Sequence, residues 1–301
     1  MLWISNHKQV HSDQRPLRTH AVLFPGTRVL LLIFSALTLL GLVVLFGRPG
    51  HTADFFAWTI KPPLTAAFLG AGYGSGCLLV AMSLRASHWP SVRVPLLTIL
   101  AFTAVTLLAT LMHLDKFHLH GSMSMATFAG WFWLFVYIMI PPGMLVIWWL
   151  QDRRVTIART SPRIPRWLAL VLAAQGAVML VVGVALFVHP PSSQTLWPWT
   201  LTPLTARAVA AWLIAFGMAT GYAAARERQA ESRVQAMAYT LFGILELVAL
   251  LRFSGTPDWD SAAAWVYLAF LLLITATGAM GVAVSRPARA ATAATATAPV
   301  A

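Results

Sequence analysis

Charged side chains are scarce in this sequence. Lys, Arg, Asp and Glu together make up 10% of its 301 residues, and 58% of the residues are hydrophobic. A soluble domain averages about 25% charged residues. A water-soluble fold would leave much of this apolar surface in water, so the composition indicates that the solvent is lipid. The chain also has one cysteine, Cys77, which excludes an internal disulfide and any Cys-x-x-Cys site.

Catalytic motifs are absent as well. The sequence contains no P-loop, no Gly-x-Ser-x-Gly, no His-Glu-x-x-His and no pair of catalytic acids. The segments between apolar runs are too short for an extramembrane catalytic domain. The sequence therefore favours a non-enzymatic role, although it leaves enzyme activity open. The formal net charge is +12, but the basic residues are spread between the apolar runs and form no single patch, so no nucleic-acid partner is expected.

Long uncharged runs are what the sequence does contain. A helix needs about 20 apolar residues to cross the hydrocarbon layer. The runs lie at 29–47, 62–84, 94–114, within 117–151, between 166 and 207, and at 208–225, 234–251 and 264–285. They show no alternation of polar and apolar residues, which a membrane β-barrel would need. The sequence predicts an all-α polytopic membrane protein with eight transmembrane helices.

The basic residues predict an orientation. With the N-terminus in the cytoplasm, sixteen of the 21 basic residues lie on inner segments. The five on outer segments are Arg48, Lys61, Lys116, Arg207 and Arg252. Because cytoplasmic loops are enriched in Lys and Arg, we expect a multi-pass protein of the inner or plasma membrane with both termini in the cytoplasm. Tryptophans near the predicted outer boundary, including Trp58, Trp131, Trp133, Trp197, Trp199 and Trp265, are interpreted as interfacial anchors.

The sequence contains an internal repeat. Residues 43–62 and 184–203 align without a gap, with Val, Leu-Phe, Pro, Trp-Thr and Pro in register, and Pro-Leu-Thr-Ala recurs at 63–66 and 203–206. Each copy holds an even number of predicted helices, so the copies run parallel, about an axis along the membrane normal. The predicted organisation is a cytoplasmic arm (1–28), a first four-helix repeat (29–150), a basic cytoplasmic linker (151–166), a second four-helix repeat (167–285) and a disordered cytoplasmic tail (286–301).

Small residues predict close helix contacts in lipid. The glycines at this spacing are Gly70, Gly72, Gly74 and Gly76 in the second span and Gly217 and Gly221 in the sixth. Because these two spans occupy the same place in the repeat, we expect them to meet between the halves, with Gly74 near Gly217. Pro141, Pro142 and Gly143 are expected to break and kink the fourth span.

One acidic residue, Glu246, lies inside the seventh predicted span. An ionised carboxylate is costly at this depth, so such residues usually face the protein interior or a cavity. Arg207, at the outer start of the sixth span, is the nearest candidate partner. Two interpretations stay open: a structural pair or protonated core residue, and a site for a substrate or a proton.

An outer segment rich in His and Met offers a second candidate site. Its candidate ligands are His113, His118, His120, Met123 and Met125. Imidazole and thioether groups suit copper. The alternatives are an outer loop or helix cap without metal, and a haem site that uses outer histidines.

The predicted function follows from these features. The leading hypothesis is a small-molecule or ion transporter, or a component of one, embedded in the lipid bilayer. A membrane protein with an outer-face haem or copper-like site is the first alternative, and a non-catalytic scaffold or assembly subunit with a membrane-protein partner is the second. The sequence fixes no cofactor.

Overall fold

The computed structural model describes residues 23–86, 89–152, 164–226 and 229–285, which form helices and no strand. Eight of these helices are long and apolar enough to cross a membrane, which confirms the predicted class. They are α1 (Pro25–Gly41, continued as a π-helix over Leu42–Gly47), α2 (Pro63–Leu84), α3 (Pro90–Leu111), α4 (Met125–Asp152), α5 (Arg166–Val188), α6 (Pro203–Arg226), α7 (Gln229–Arg252) and α8 (Ala262–Val284). Most of the predicted arm (1–22), most of the linker and the whole predicted tail lie outside the described residues. Residues 23–28 are described, and α1 begins at Pro25, so the helix starts inside the predicted arm.

Two short helical segments follow α1 and α5. A 3₁₀ turn over Pro49–His51 leads into a helical turn over Thr52–Phe55, and Pro190–Ser192 leads in the same way into Ser193–Leu196. The buried Thr52 hydroxyl accepts a hydrogen bond of 2.9 Å from the Ile60 backbone N–H, which fixes the first segment. The helices α2 and α6 then start at prolines, whose missing N–H costs nothing in the first helical turn.

Four helices form the centre of the bundle. α2 packs against α7 and α3 packs against α6, while α1, α4, α5 and α8 pack outside them on α2, α3, α6 and α7 respectively. In α2 83% of the most apolar window is buried, against 22% in α1. This contrast identifies α2 as a core helix, whereas the other helices leave most of α1 uncovered.

The predicted break in the fourth span is wrong. α4 is assigned as one continuous helix from Met125 to Asp152, with Pro141 and Pro142 inside it. Each proline removes one backbone donor, but transmembrane helices tolerate this because local adjustments and neighbouring groups satisfy the freed carbonyls.

Four tryptophans predicted as interfacial anchors are buried instead. The exposed fraction is 9% or less in each of Trp58, Trp133, Trp197 and Trp199. Trp58 packs edge-on against Trp133 with ring centroids 5.0 Å apart, and Trp197 packs against Trp199 at 5.2 Å. A tryptophan near the boundary has the same sequence signature whether it faces lipid or the bundle. Here the segments after α1 and α5 turn Trp58, Trp197 and Trp199 inward, and Trp133 lies on the side of α4 that faces the bundle. Trp131 and Trp265 are more than half exposed, as an anchor requires.

Candidate functional site

A cavity of about 540 Å³ is lined mainly by helices of the first half of the chain. Its sides are α1 and α4, which do not pack closely on each other, and α2 and α3 lie behind it. The rim includes Val43 of α1 and Phe128 of α4, which are 57% and 58% exposed. The cavity therefore opens sideways, toward the surface that lipid would cover. Small-molecule sites in proteins occupy roughly 300–1,000 Å³.

Aromatic rings form the inner wall of the cavity. Trp212 of α6 stacks on Phe102 of α3 with ring centroids 3.8 Å apart, and Tyr73 of α2 packs edge-on against Trp212 at 5.4 Å. Trp212 fits because Gly72 has no side chain: a Cβ there would lie 2.5 Å from Trp212 Cε2. These contacts hold the wall in place with residues from both halves of the chain.

A pair of hydroxyls also borders the cavity. The hydroxyl oxygens of Tyr73 and Tyr137 lie 2.7 Å apart, within hydrogen-bond distance, and link α2 to α4. Other polar lining groups are directed to the backbone: Thr38 donates to the Phe34 carbonyl at 2.6 Å and Thr103 to the Ile99 carbonyl at 2.8 Å. The interior thus presents mainly apolar surface to whatever occupies it.

The end of the cavity on the predicted outer side contains a charge. The π-helical turn Leu42–Gly47 ends α1, and Arg48 follows it as the one charged residue among the cavity's lining residues. Phe55 and Phe56, from the short segment that follows, lie over this end and pack toward α4. π-Bulges occur frequently at functional sites. The cavity therefore combines a long apolar interior with a single cation at one end.

The corresponding space between α5 and α8 is closed by polar contacts. The helices α5 and α8 pack on each other. The buried side chain of Gln175 accepts hydrogen bonds from Tyr239 at 3.3 Å and from Thr277 at 3.1 Å, which joins α5, α7 and α8. The peripheral helices of the second half, α5 and α8, are thereby linked to each other, in contrast to α1 and α4.

The structure gives Glu246 and Arg207 different partners. Glu246 has no exposed surface; its Oε2 accepts a hydrogen bond of 2.9 Å from Tyr267, and its Oε1 has no hydrogen-bond partner within the described ranges. Arg207 donates from Nη1 to His113 Nε2 at 2.6 Å and from Nε to the Phe187 carbonyl at 3.0 Å. The two side chains are not paired, and neither is among the cavity's lining residues.

Two histidines of the predicted outer segment form structural hydrogen bonds. Partial burial lowers the pKa of His113, and the neighbouring Arg207 lowers it further, so the imidazole stays neutral and accepts the arginine's hydrogen bond. His118 donates from Nδ1 to the Phe56 carbonyl at 2.9 Å. His120, Met123 and Met125 are exposed. Across the described residues, no group of three or more His, Cys, Asp or Glu could hold a metal ion, and the copper site stays a prediction.

The predicted packing glycines face several different neighbours. A Cβ at Gly70 would collide with the Phe46 backbone, and one at Gly74 would lie 2.7 Å from Leu245 of α7. A Cβ at Gly76, beside the cavity, would meet Thr38 at 3.5 Å. In α6, Gly217 instead faces α5, where a Cβ would lie 2.9 Å from the Gly176 carbonyl, and Gly221 faces open space. The structure thus brings α2 and α6 together through Gly72 and Trp212, whereas Gly74 and Gly217 face different helices.

Comparisons with known proteins found no matching family model, no similar curated protein and no similar solved structure. The residues that sequence reasoning missed are Arg48, Tyr73, Tyr137 and Trp212. A usable signal was present for the tyrosines, because hydroxyl-bearing rings inside apolar runs need a partner. Arg48 had no such signal, since it is one of several outer basic residues.

Proposed function

We propose that this membrane protein is a small-molecule transporter, or a component of one, whose substrate enters the cavity between α1 and α4 from the bilayer. One observation carries the proposal: a laterally open, mainly apolar cavity of about 540 Å³ inside a membrane-spanning bundle. Its size lies in the range of ligand sites, roughly 300–1,000 Å³. If the protein only needed to be stable, we would expect α1 and α4 to pack on each other and close this gap. The equivalent helices of the second half, α5 and α8, do pack on each other.

The lining favours a small molecule over an ion as substrate. Ion sites need several convergent oxygen ligands or charged rings. Here Thr38 and Thr103 direct their hydroxyls to backbone carbonyls, and the hydroxyls of Tyr73 and Tyr137 contact each other. Glu246, the buried acid that most favoured ion or proton transport in the sequence, is not a lining residue.

The first test asks whether the cavity holds a molecule. Ala129 of α4 lines the cavity, and Ala129→Trp should fill part of it. Ala269 of α8 is exposed on the lipid-facing side, so Ala269→Trp is a matched control. Small molecules extracted from purified wild-type protein and from both variants should differ by at least one component that is depleted only in Ala129→Trp. Equal extracts from all three folded proteins would refute an occupied cavity.

The second test asks for transport. The component identified by extraction would be loaded into proteoliposomes, and exchange of its labelled form would be measured. Exchange should be fast with wild type and Ala269→Trp and slow with Ala129→Trp. Occupancy without exchange by the wild-type protein would refute transport and leave a binding role.

The proposal includes two parallel four-helix repeats. This repeat arrangement is supported by the short helical segments Thr52–Phe55 and Ser193–Leu196, which occupy equivalent positions in the aligned sequence repeat. It is also supported by the exchange of packing partners: α2 packs on α7 as α3 packs on α6, the relation expected when a pseudo-twofold axis swaps the halves. Crosslinks between α2 and α7 matched by equivalent crosslinks between α3 and α6 would test this relation.

The proposed orientation places the segments after α1, α3, α5 and α7 outside. Contacts between these segments support one shared side: the His118 N–H donates to the Ala57 carbonyl at 2.9 Å, and the Asp258 N–H donates to the Pro198 carbonyl at 2.8 Å. Cytoplasmic termini in the inner or plasma membrane follow from the basic residues. Labelling of a cysteine introduced at exposed Met123 from outside intact cells would test it. The haem or copper site and the scaffold role stay predictions.

A further inference from the structure

We infer that the cavity takes an anionic amphiphile with a single apolar chain, with its anionic group at Arg48 and its chain between α1 and α4. The inference rests on the proposed function, because it names the class of molecule that the same cavity would take. It depends on three observations: the isolated charge at the outer end, the apolar interior, and the lateral opening.

The charge at the outer end is positive and available. Arg48 is exposed, and its guanidinium makes no hydrogen bond or ion pair with any described residue. Arg252 lies close by, donating to the Phe46 carbonyl at 2.7 Å, and adds a second positive charge. The nearby acid Asp54 is exposed on the following helical turn and forms no ion pair with Arg48 in the described structure. A free guanidinium matches the geometry of a carboxylate or phosphate, which it binds with paired hydrogen bonds.

The cavity interior below Arg48 suits an apolar hydrocarbon chain better than a polar group. Gly41 and Arg48 both line the cavity, and seven residues at about 1.5 Å each separate them by roughly 10 Å along the helix. Over this depth the sides are apolar, with Leu40 and Val43 on α1 and Phe132 on α4. A polar substituent on the ligand would lose its hydration there without gaining partners.

The lateral opening explains how an amphiphile would enter. Rim residues of α1 and α4 are exposed at the surface that lipid would cover, so a chain slides in from the bilayer. Arg48 stands at the outer end of the helix, where a headgroup already resides, so the anion never crosses the hydrocarbon layer. The volume of about 540 Å³ is that of a drug-sized ligand, which favours one chain over two.

The test uses a pair of probes that differ only in the headgroup. Photoreactive oleic acid and photoreactive oleyl alcohol, with the same diazirine in the chain, are added to the full-length protein in zwitterionic lipid nanodiscs, and labelled peptides are identified by mass spectrometry. The acid should label α1 and α4 about tenfold more efficiently than the alcohol, which corresponds to about 1.4 kcal/mol. A two-chain anionic lipid, phosphatidylglycerol, is added as a competitor.

Variants of Arg48 test whether its charge causes the difference in labelling between the acid and the alcohol. Arg48→Gln should lower labelling by the acid to the level of the alcohol, and Arg48→Lys should keep part of the difference. Lys116→Gln is the matched control, because Lys116 is also an outer, exposed cation but pairs with Asp115 at 2.8 Å and does not line the cavity. It should leave both probes unchanged.

The outcomes separate this inference from the proposed function. If acid and alcohol label the cavity equally and Ala129→Trp reduces both, the cavity takes apolar molecules, the proposed function stands and the anionic class is refuted. Strong displacement of the acid by phosphatidylglycerol would refute the single-chain ligand. Labelling of both probes that Ala129→Trp leaves unchanged would refute the cavity site itself, and with it both proposals.

Discussion

Replacing Glu246 by leucine should destabilise the protein, whereas replacing it by glutamine should not. The carboxyl group is fully buried, and the hydroxyl of Tyr267 donates to its Oε2 at 2.9 Å. Leucine removes the acceptor and leaves the tyrosine hydroxyl without it. Glutamine keeps an oxygen at this position. The comparison therefore contrasts loss of the acceptor with its retention.

The expected size of the effect follows from two estimates. Leaving a buried donor unpaired costs about 1–3 kcal/mol in soluble proteins. Side-chain hydrogen bonds inside membrane proteins average only about 0.6 kcal/mol, with a maximum near 1.7, because the unfolded chain in the membrane also finds partners. Tyr267 is only half-buried, which argues for the lower values. We expect Glu246→Leu to lose about 1 kcal/mol of unfolding free energy.

A double-mutant cycle measures the bond directly. Unfolding of wild type, Glu246→Leu, Tyr267→Phe and the double variant would be followed by tryptophan fluorescence in detergent. The double variant should be more stable than the sum of the single changes predicts, by about 0.6–1.7 kcal/mol. Additive losses would refute the hydrogen bond. A gain of several kcal/mol in Glu246→Gln would show that wild type holds an ionised, unpaired carboxylate, which is costly in an apolar interior.

Three further predictions concern packing and pH. Gly217→Ala should destabilise the protein, because a Cβ there would lie 2.8 Å from Leu180 Cγ, whereas Gly221→Ala, one turn away and facing open space, should be neutral or stabilising; thermal unfolding of the pair compares them. The pKa of His113 is lower in the folded protein than its unfolded value of about 6.5, so the unfolded state binds more protons and stability should fall as the pH drops below that value. His113→Gln keeps an acceptor for Arg207 without titrating, and its Tm should depend less on pH between 7.5 and 5; an unchanged slope would contradict the assignment. Trp199→Phe should destabilise the contact between the halves, because it removes the 2.8 Å hydrogen bond from Trp199 Nε1 to Thr65, and Thr65→Val should add little to it in the same unfolding assay.

The sequence predicts the spans well because run length and charge are what the bilayer itself responds to. The run at 62–84 corresponds to α2 over Pro63–Leu84, and the run at 264–285 to α8 over Ala262–Val284. Lateral packing carries no comparable signal. A helix that is apolar on every side reads the same whether it faces lipid, a neighbour or a cavity. The sequence therefore did not predict the gap between α1 and α4, although it contains every residue that borders the gap.

Polar partners were equally hard to predict for residues far apart in the chain. Glu246 and Arg207 looked like a pair because both are charged residues of adjacent spans. Their actual partners, Tyr267 and His113, carry no full opposite charge. A buried ion pair requires the desolvation of two charges, which can cost more than the pairing returns. Opposite charge therefore predicted the partners of these two residues less well than the presence of nearby hydrogen-bonding groups would have.

The difference between the halves supports the proposed site at the cavity better than the buried acid supports a site at Glu246. In the second half, Gln175, Tyr239 and Thr277 link α5, α7 and α8, and Glu246 bonds within the same half to Tyr267 on α8. These contacts hold outer helices in place. In the first half, the link between Tyr73 and Tyr137 ties α4 to α2 but leaves α1 separate from α4. Polar groups close the second half, and the first half has the cavity in which we propose that a ligand binds.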